Sequence, residues 1–205
     1  MPRDSFGREI DYLRISVIDA CNLRCTYCMP LQGARFLPKD DLLTAEEFGQ
    51  VVDAAVSIGF RKFRLTGGEP TLRRDLEDII RRIKSVEGAG ELSMTTNGIL
   101  LPDLAADLAA AGLDRINLHL DTLDEQRLHQ IMRRHDLAKA WDGIRAAEDA
   151  GLAPIKMNTV VVAGENEHDV VELAKLTLEH DWHIRFIELM PLGSGPESTY
   201  SRDKY

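Results

Sequence analysis

Cysteines, aromatic residues and long apolar segments are all scarce in this sequence. The 205 residues include 3 cysteines, and aromatic residues make up 6% of the chain. The cysteines fall within eight residues, and an odd number with no partner elsewhere excludes a disulfide framework. No apolar segment is long enough to span a bilayer, and the first ten residues contain no apolar signal core. We therefore predict a cytoplasmic protein without membrane contacts.

Basic residues are outnumbered by acidic ones. The chain has 25 Lys and Arg against 34 Asp and Glu, which gives a formal net charge of −9. This balance argues against charge-driven binding of nucleic acid, so we predict no nucleic-acid partner. It leaves room for a small basic pocket that binds a phosphorylated substrate. Hydrophobic residues, at 44%, are sufficient for one domain with a sizeable core.

The cysteines that are present form the pattern C-x3-C-x2-C at Cys21, Cys25 and Cys28. Three interpretations are open: unrelated buried thiols, a structural zinc site completed by a histidine, and a [4Fe–4S] cluster. Clustering disfavours unrelated thiols, and zinc sites usually have paired C-x2-C units or nearby histidines, whereas the next histidine is His119. Iron–sulfur clusters normally take four cysteines, so three would leave one iron open for a small molecule. We favour the cluster.

Short β-branched segments alternate with longer helical segments along the chain. The pattern predicts strands at residues 13–18, 62–66, 91–95, 115–120, 155–162 and 184–189. It predicts helices at residues 45–57, 72–85, 101–111, 124–133, 138–150 and 167–179. Capping boxes are predicted at Thr44 with Glu47 and at Thr122 with Glu125. The alternation indicates an α/β fold with a parallel sheet, and it leaves a partial barrel and a doubly wound sheet open.

The chain contains no linker that would divide it. We therefore predict one domain over residues 1–192, followed at residues 193–205 by an exposed tail or a truncation point. The last stretch is rich in Gly, Ser and charged residues, and no helix follows the sixth predicted strand.

Unusual residues follow the predicted strands, which is where a βα barrel has its active site. The cysteines lie in a long loop, residues 19–43, after the first strand. The second strand runs into Gly67-Gly68-Glu69-Pro70, where two glycines allow a close approach of the backbone to another group. Other strand ends carry Thr96-Asn97-Gly98, His119-Leu120-Asp121 and Met190-Pro191. These residues predict one site at the rim of the sheet.

Four basic residues lie on predicted strands. Lys62 and Arg64 alternate on the second strand and therefore face the same side, while Arg14 and Lys156 lie on the first and fifth strands. Charged residues inside a parallel barrel are costly unless they meet an opposite charge. A triphosphate supplies such a charge, and arginine forks suit it. The alternative is a set of surface-facing strand ends, each paired with a carboxylate.

The segments CNLRCTYC and GGEP together resemble those of radical S-adenosylmethionine (SAM) enzymes. Further motifs occur in the order found in one family, the GTP 3′,8-cyclases of molybdenum cofactor biosynthesis. They are LRIS, CMP, FLPK, RLTGGEP, TTNG, KMN and RFIELMP. The resemblance runs from about residue 6 to residue 191. It implies a three-quarter βα barrel with six parallel strands, of the radical SAM type.

The same resemblance implies an activity. The protein would be a lyase that cleaves SAM reductively and cyclises GTP to 3′,8-cyclo-7,8-dihydro-GTP. Its cofactors would be one [4Fe–4S] cluster with an open iron site and SAM. GTP would be the substrate, the partners would include an electron donor and a downstream protein of the molybdopterin pathway, and a homodimer is left open.

The matching motifs imply roles for individual residues, although none is identified as a catalytic acid or base. The implied cluster ligands are Cys21, Cys25 and Cys28. The implied SAM-contacting residues are Tyr27, Gly68, His119 and Met190. The implied GTP-contacting residues are Arg14, Arg64, Thr95 and Lys156, with Lys62 and Arg185 as secondary contacts to the triphosphate.

Two departures from the family pattern leave alternative functions open. The family has a serine where this chain has His119, which changes size and charge at a SAM-contacting position. The family's C-terminal region, with a second cluster and a Gly-Gly tail, has no counterpart in these 205 residues. The alternatives are a radical SAM enzyme with another substrate and a catalytically inactive cluster-binding domain.

Overall fold

The fold is one sheet of parallel strands connected by helices. A computed structural model describes residues 1–189. The strands are β1 (Tyr12–Ile18), β2 (Lys62–Gly67), β3 (Leu92–Thr96), β4 (Arg115–His119), β5 (Lys156–Val161) and β6 (His183–Glu188). The helices are α1 (Ala45–Ser57), α2 (Leu76–Lys84), α3 (Leu101–Ala111), α4 (Glu125–Ile131), α5 (Leu137–Asp149) and α6 (Val170–Glu179). Between residues 1 and 189, no helix combines the length and the apolarity needed to cross a bilayer.

The strand order confirms the predicted α/β fold with six parallel strands. Neighbours in the sheet follow the chain, β1-β2-β3-β4-β5-β6, and each pair is parallel. A doubly wound sheet reverses its strand order at a switch point, so that alternative is wrong. Within the described part of the chain β1 and β6 are not paired. The sheet is therefore a partial βα barrel with two edges.

Local sequence signals explain where two helices begin. The capping box at Thr44 is confirmed, because its hydroxyl accepts the amide hydrogen of Glu47 and the Glu47 carboxylate accepts the amide hydrogen of Thr44. The box predicted at Thr122 is wrong. Asp124 caps α4 instead, and its carboxylate accepts from the amide of Arg127 at 2.8 Å.

The helix predicted at residues 72–85 is divided in two. A short 3-10 turn covers Pro70–Leu72, and α2 begins only at Leu76. The turn is separate because the Glu69 carboxylate accepts the amide hydrogen of Thr71 and so caps the turn itself. The motif that ends β2 is therefore an independent unit between strand and helix.

The two faces of the sheet differ in chemistry. The face toward the helices is apolar and buried, with Phe63, Leu65, Met94, Ile116 and Leu118 among its residues. Side chains alternate along a strand, so the intervening residues share the opposite face, which we term the lumen face. In register, its rows contain Arg14, Arg64, Ser93 and Arg115; then Thr95, Asn117, Lys156 and His183; then His119, Asn158 and Arg185. The lumen face is thus polar and mostly basic.

Two adjacent arginines after α4 adopt a left-handed backbone, with φ of 47° at Arg133 and 56° at Arg134. Arg134 is exposed. An L-residue in this conformation is strained and glycine is not, so we expect Arg134→Gly to raise the free energy of unfolding by about 1 kcal/mol. Urea denaturation measures the change. Arg134→Ala keeps the Cβ atom and should not share the gain; equal stability of the two variants would contradict the prediction.

Candidate active site

The three cysteines lie in the loop that follows β1. Cys25 is buried, Cys21 is half-buried and Cys28 is exposed. The loop turns at this point, because the amide of Cys28 donates to the carbonyl of Cys25 at 3.0 Å. The amide of Thr26 donates to the carbonyl of Ile131, the last residue of α4, at 2.9 Å. The loop is therefore held against the end of a helix that is distant in the sequence.

One cavity of about 190 Å³ brings together most of the residues predicted for the site. The predicted site residues that line it are Cys21, Cys25, Cys28, Tyr27, Gly68, Thr95 and His119. They come from the ends of β1, β2, β3 and β4, so the predicted rim site is formed from consecutive strand ends. Met190 and the tail predicted at residues 193–205 lie outside the described residues.

The glycine turn after β2 packs directly on the start of the cysteine loop. Gly67 has φ of 147°, and a Cβ atom there would lie 2.1 Å from the carbonyl oxygen of Ile18. A Cβ atom on Gly68 would lie 2.2 Å from the carbonyl oxygen of Ala20. No side chain fits at either position, because both obstacles are backbone atoms. The two glycines therefore fix how closely the β2 turn approaches the cysteines.

Glu69 is the structural centre of the rim. It is 1% exposed, and its carboxylate accepts four hydrogen bonds. Two come from the amide and hydroxyl of Thr71, one from the hydroxyl of Thr96 and one from the amide of Asn97. These bonds join the end of β2 to the end of β3. The GGEP motif contains Glu69, but nothing in the sequence indicates these contacts.

Tyr27, His119 and Asp121 form a hydrogen-bonded triad beside the cysteines. The Tyr27 hydroxyl donates to Asp121 Oδ2 at 2.5 Å and lies 2.7 Å from His119 Nε2. His119 Nε2 lies 3.2 Å from the same carboxylate oxygen. Asp121 is fully buried, and its Oδ1 accepts the amide hydrogen of Val160 at 2.7 Å. One buried carboxylate, which the sequence marks only as a strand-end residue, thus orients two predicted SAM contacts.

Burial controls the protonation of these groups. It raises the pKa of all three thiols, most strongly that of Cys25. It also raises the pKa of Tyr27, and the charge of Asp121 adds to the effect. Burial lowers the pKa of His119, but the charge of Asp121 and the hydrogen bond to it outweigh burial, so that the net shift is upward. The metal-free thiols are protonated at neutral pH, and iron binding must displace their protons.

The basic residues predicted to contact GTP lie on the lumen face. Arg14 and Arg64 are neighbours in register, and their guanidinium carbons lie 5.8 and 5.1 Å from the centre of the Tyr12 ring. Lys156 faces the same side from β5. Burial is the main cause that lowers the pKa of Arg64 and of Lys156. Nearby arginines add to both shifts, so this is a crowded group of positive charges.

The alternative of a carboxylate for each cation holds for Lys62 only. Lys62 Nζ lies 2.8 Å from Asp11 Oδ2 at the edge of the sheet. Among residues 1–189, no ion pair involves Arg14, Arg64 or Lys156. These three charges therefore lack the internal partner that a purely structural role would supply.

Arg115 belongs to the same row as Arg14 and Arg64 but is absent from the predicted site. Its side chain is 14% exposed and forms an ion pair with Glu91. The signal that would have found it is simple alternation, because Arg115 has the same parity along β4 as Asn117 and His119.

The donor set suits a cluster better than a single ion. Three thiols line one cavity, yet within residues 1–189 no three His, Cys, Asp or Glu side chains are grouped closely enough to hold one metal ion. Thiolates that bind different irons of one cluster lie further apart than the ligands of one ion. A zinc site would need a fourth ligand around the same ion, and His119 is instead engaged with Tyr27 and Asp121.

The comparison with known families defines the class of protein. A sequence profile of the Radical SAM superfamily matches residues 15–177, which is most of the chain. The chain belongs to this superfamily. Its cofactors are a [4Fe–4S] cluster and SAM, as the cysteine spacing and the family resemblance predict.

The similar curated proteins are GTP 3′,8-cyclases. The cyclase of Pelotomaculum thermopropionicum is 50% identical over 203 residues, which are 99% of this chain and 62% of the relative. The cyclase of Geobacter sulfurreducens is 47% identical over 92% of this chain and 58% of its own length. This chain therefore spans about 60% of the length of the curated relatives it matches.

Solved structures show the same fold at low sequence identity. SuiB of Streptococcus suis bound to S-adenosylmethionine matches 91% of this chain and 42% of its own, with a TM-score of 0.73 and 17% identity. Methylornithine synthase matches 94% of this chain and 57% of its own, with a TM-score of 0.72 and 17% identity. These likenesses confirm the partial barrel of the radical SAM type.

Proposed function

We propose that this chain provides the radical SAM barrel of a GTP 3′,8-cyclase, with GTP as its substrate. The supporting observation is that the cysteine cavity and the basic residues lie on the same side of one sheet. From Arg115 to His119 the chain advances four residues, a distance of about 13 Å at the usual rise of a strand. An extended nucleoside triphosphate spans such a distance, with its phosphates below and its sugar toward the rim.

The residues of this chain would bind and orient the reactants. When bound, the cluster and SAM supply an organic radical through one-electron reduction. Cys21, Cys25 and Cys28 would hold the cluster, and Tyr27, Gly68 and His119 would contact SAM. Arg14, Arg64 and Lys156 would bind the triphosphate through charge-assisted hydrogen bonds, and Thr95 would contact GTP from the row between them. Their contribution is to hold the ribose of GTP beside the cofactor.

Other parts of the proposal concern partners. We predict an electron donor, a downstream protein of the molybdopterin pathway that takes the product, and a cytoplasmic location. A homodimer stays a prediction that light scattering can test. Met190 and Arg185 complete the proposed SAM and triphosphate contacts.

The test is anaerobic turnover. The chain is reconstituted with iron and sulfide, dithionite and SAM are added, and 5′-deoxyadenosine is quantified with and without GTP. We expect GTP to stimulate its formation. Arg64→Ala should abolish the stimulation, because Arg64 is buried on the lumen face. Arg81→Ala, on an exposed part of α2, is the matched control and should keep it.

Two outcomes would overturn the proposal in different ways. Formation of 5′-deoxyadenosine at a rate that ignores GTP would indicate a radical SAM enzyme with another substrate. Absence of 5′-deoxyadenosine in a sample with a fully formed cluster would indicate a catalytically inactive cluster-binding domain. The visible absorbance of the cluster distinguishes the second outcome from failed reconstitution.

A further inference from the structure

The lumen face carries one carboxylate among many cations. Between residues 1 and 189, the lumen-face positions of the six strands contain no Asp or Glu. The carboxylate comes from Glu91, which immediately precedes β3 and lies in the row below Arg64 and Ser93. Its partner is Arg115, at the start of β4. The pair sits at the end of the lumen opposite to the cysteine cavity.

Arg115 is held in place from two sides. One of its nitrogens, Nη2, donates to Glu91 Oε1. The other, Nη1, donates to Asn117 Oδ1 at 3.2 Å. The Arg115 side chain is 14% exposed and the Glu91 side chain 37% exposed, so the guanidinium is enclosed while the carboxylate reaches water. An oriented guanidinium of this kind loses little conformational freedom when it binds an anion.

A second observation indicates that a ligand completes this region. Asn117 is fully buried, and its Nδ2 has no hydrogen-bond partner within the described residues. Its other side-chain atom, Oδ1, already accepts from Arg115. Buried amide donors rarely stay unpaired in native proteins, because the loss of hydration is not compensated. The unpaired donor and Arg115 face the same lumen, where an anionic oxygen would satisfy both.

The charges of this region also act on their neighbours. The pKa of Lys156 is lowered first by burial and then by Arg115 and Arg185, while Glu91 acts in the opposite direction. Arg115 likewise contributes to the lowered pKa of Arg64, after burial and Arg14. Glu91 is therefore the charge that offsets the mutual repulsion of the lumen cations.

We propose that Arg115 is a further anion-binding residue of the lumen, and that Glu91 is its internal counter-ion, which limits the affinity of the site for polyphosphate. This inference rests on the proposed function, because a nucleoside triphosphate supplies the polyphosphate. In the ligand-free chain Glu91 pairs with Arg115. A bound polyphosphate shares the Arg115 guanidinium and is repelled by the Glu91 carboxylate, so Glu91 sets how tightly the anion is held.

The distinguishing variant is Glu91→Gln, because it should improve binding. Glutamine keeps the shape and a hydrogen-bond acceptor for Arg115 but removes the negative charge. Removal of one repulsive charge near a highly charged anion should tighten binding about tenfold at low ionic strength. Arg115→Gln should weaken binding by a similar factor, about tenfold. Damage to the fold cannot explain a gain in affinity.

The experiment is calorimetric titration of the reconstituted chain with inorganic tripolyphosphate and, separately, with GTP. The variants are Glu91→Gln, Arg115→Gln and, as a matched loss of charge away from the lumen, Glu77→Gln on α2. We expect tighter binding of both ligands to Glu91→Gln, weaker binding to Arg115→Gln and no change for Glu77→Gln.

The outcomes separate this inference from the proposed function. If the unmodified chain binds GTP but Glu91→Gln binds it equally or more weakly, the inference is wrong and the proposed function stands. If tripolyphosphate binding tightens in Glu91→Gln while GTP does not bind, the inference stands and the GTP proposal is wrong. If neither ligand binds to any variant, both are wrong.

Discussion

Replacement of Glu69 by alanine should lower the free energy of unfolding by about 4 kcal/mol, since it leaves buried donors without their acceptor. The carboxylate is 1% exposed and accepts from two hydroxyls and two amides. The hydroxyls can rotate toward other acceptors, but the amides of Thr71 and Asn97 cannot. Proteins of this size are stable by about 5–15 kcal/mol, so the variant should be near the limit of stable folding.

Urea denaturation of the metal-free chain under reducing conditions measures this effect. Glu77→Ala is the control, because Glu77 is an exposed residue of α2 that pairs with Arg81. Its cost should stay within about 0.5 kcal/mol, as is usual for surface positions. Glu69→Gln should fall between the two, because an amide oxygen still accepts hydrogen bonds. A Glu69→Ala variant as stable as the Glu77→Ala control would show that the four bonds at the rim contribute nothing.

Replacement of Asp121 by asparagine should reduce the rate of SAM cleavage by roughly 10–100-fold, the value of one lost charge-assisted hydrogen bond. Asparagine keeps an oxygen for the Val160 amide but removes the anionic acceptor shared by Tyr27 and His119. Both rings then lose the group that orients them beside the cysteines. Asp121 is a positioning residue in this account, since it acts through its two neighbours.

The readouts are the affinity for SAM, the rate of 5′-deoxyadenosine formation and the visible absorbance of the cluster. A positioning role predicts a lower affinity and rate with unchanged cluster content and melting temperature. Asp124→Asn is the matched control, because asparagine caps α4 as well as aspartate does. Tyr27→Phe should cost little more in the Asp121→Asn background than alone, whereas fully additive effects would contradict the shared network.

Much of the fold follows from short-range signals in the sequence. The bounds of α1 and α3 match the predicted ranges, and all six strands overlap theirs. The capping residue Thr44 and the helix-ending Gly112, with φ of 110°, act within one turn of the chain and are visible in the sequence. Thr122 has the spacing of a capping box too, but Asp124 competes with it and wins. Local patterns therefore locate elements better than they locate their ends.

The site is predictable only where a residue carries its own chemistry. The cysteines and the paired glycines are unusual by type and spacing, and the structure brings them to one cavity. Glu69 and Asp121 are ordinary acidic residues whose importance comes from burial and from partners on other strands. His135 shows the same limit: its sequence neighbours are polar, yet it is 1% exposed. Burial of this kind depends on tertiary packing that no local pattern contains.

The contacts of the cysteine loop with α4 imply an order of events during synthesis of the protein. Cys25 Sγ lies 3.8 Å from the carbonyl oxygen of Met132, 107 residues later, and Thr26 bonds to Ile131. A ribosome needs roughly ten seconds to add that many residues. For that time the thiols have nothing to pack against and are accessible to iron-delivery proteins. Once α4 arrives, the loop closes, so loading of the metal centre is most accessible before the barrel is half built.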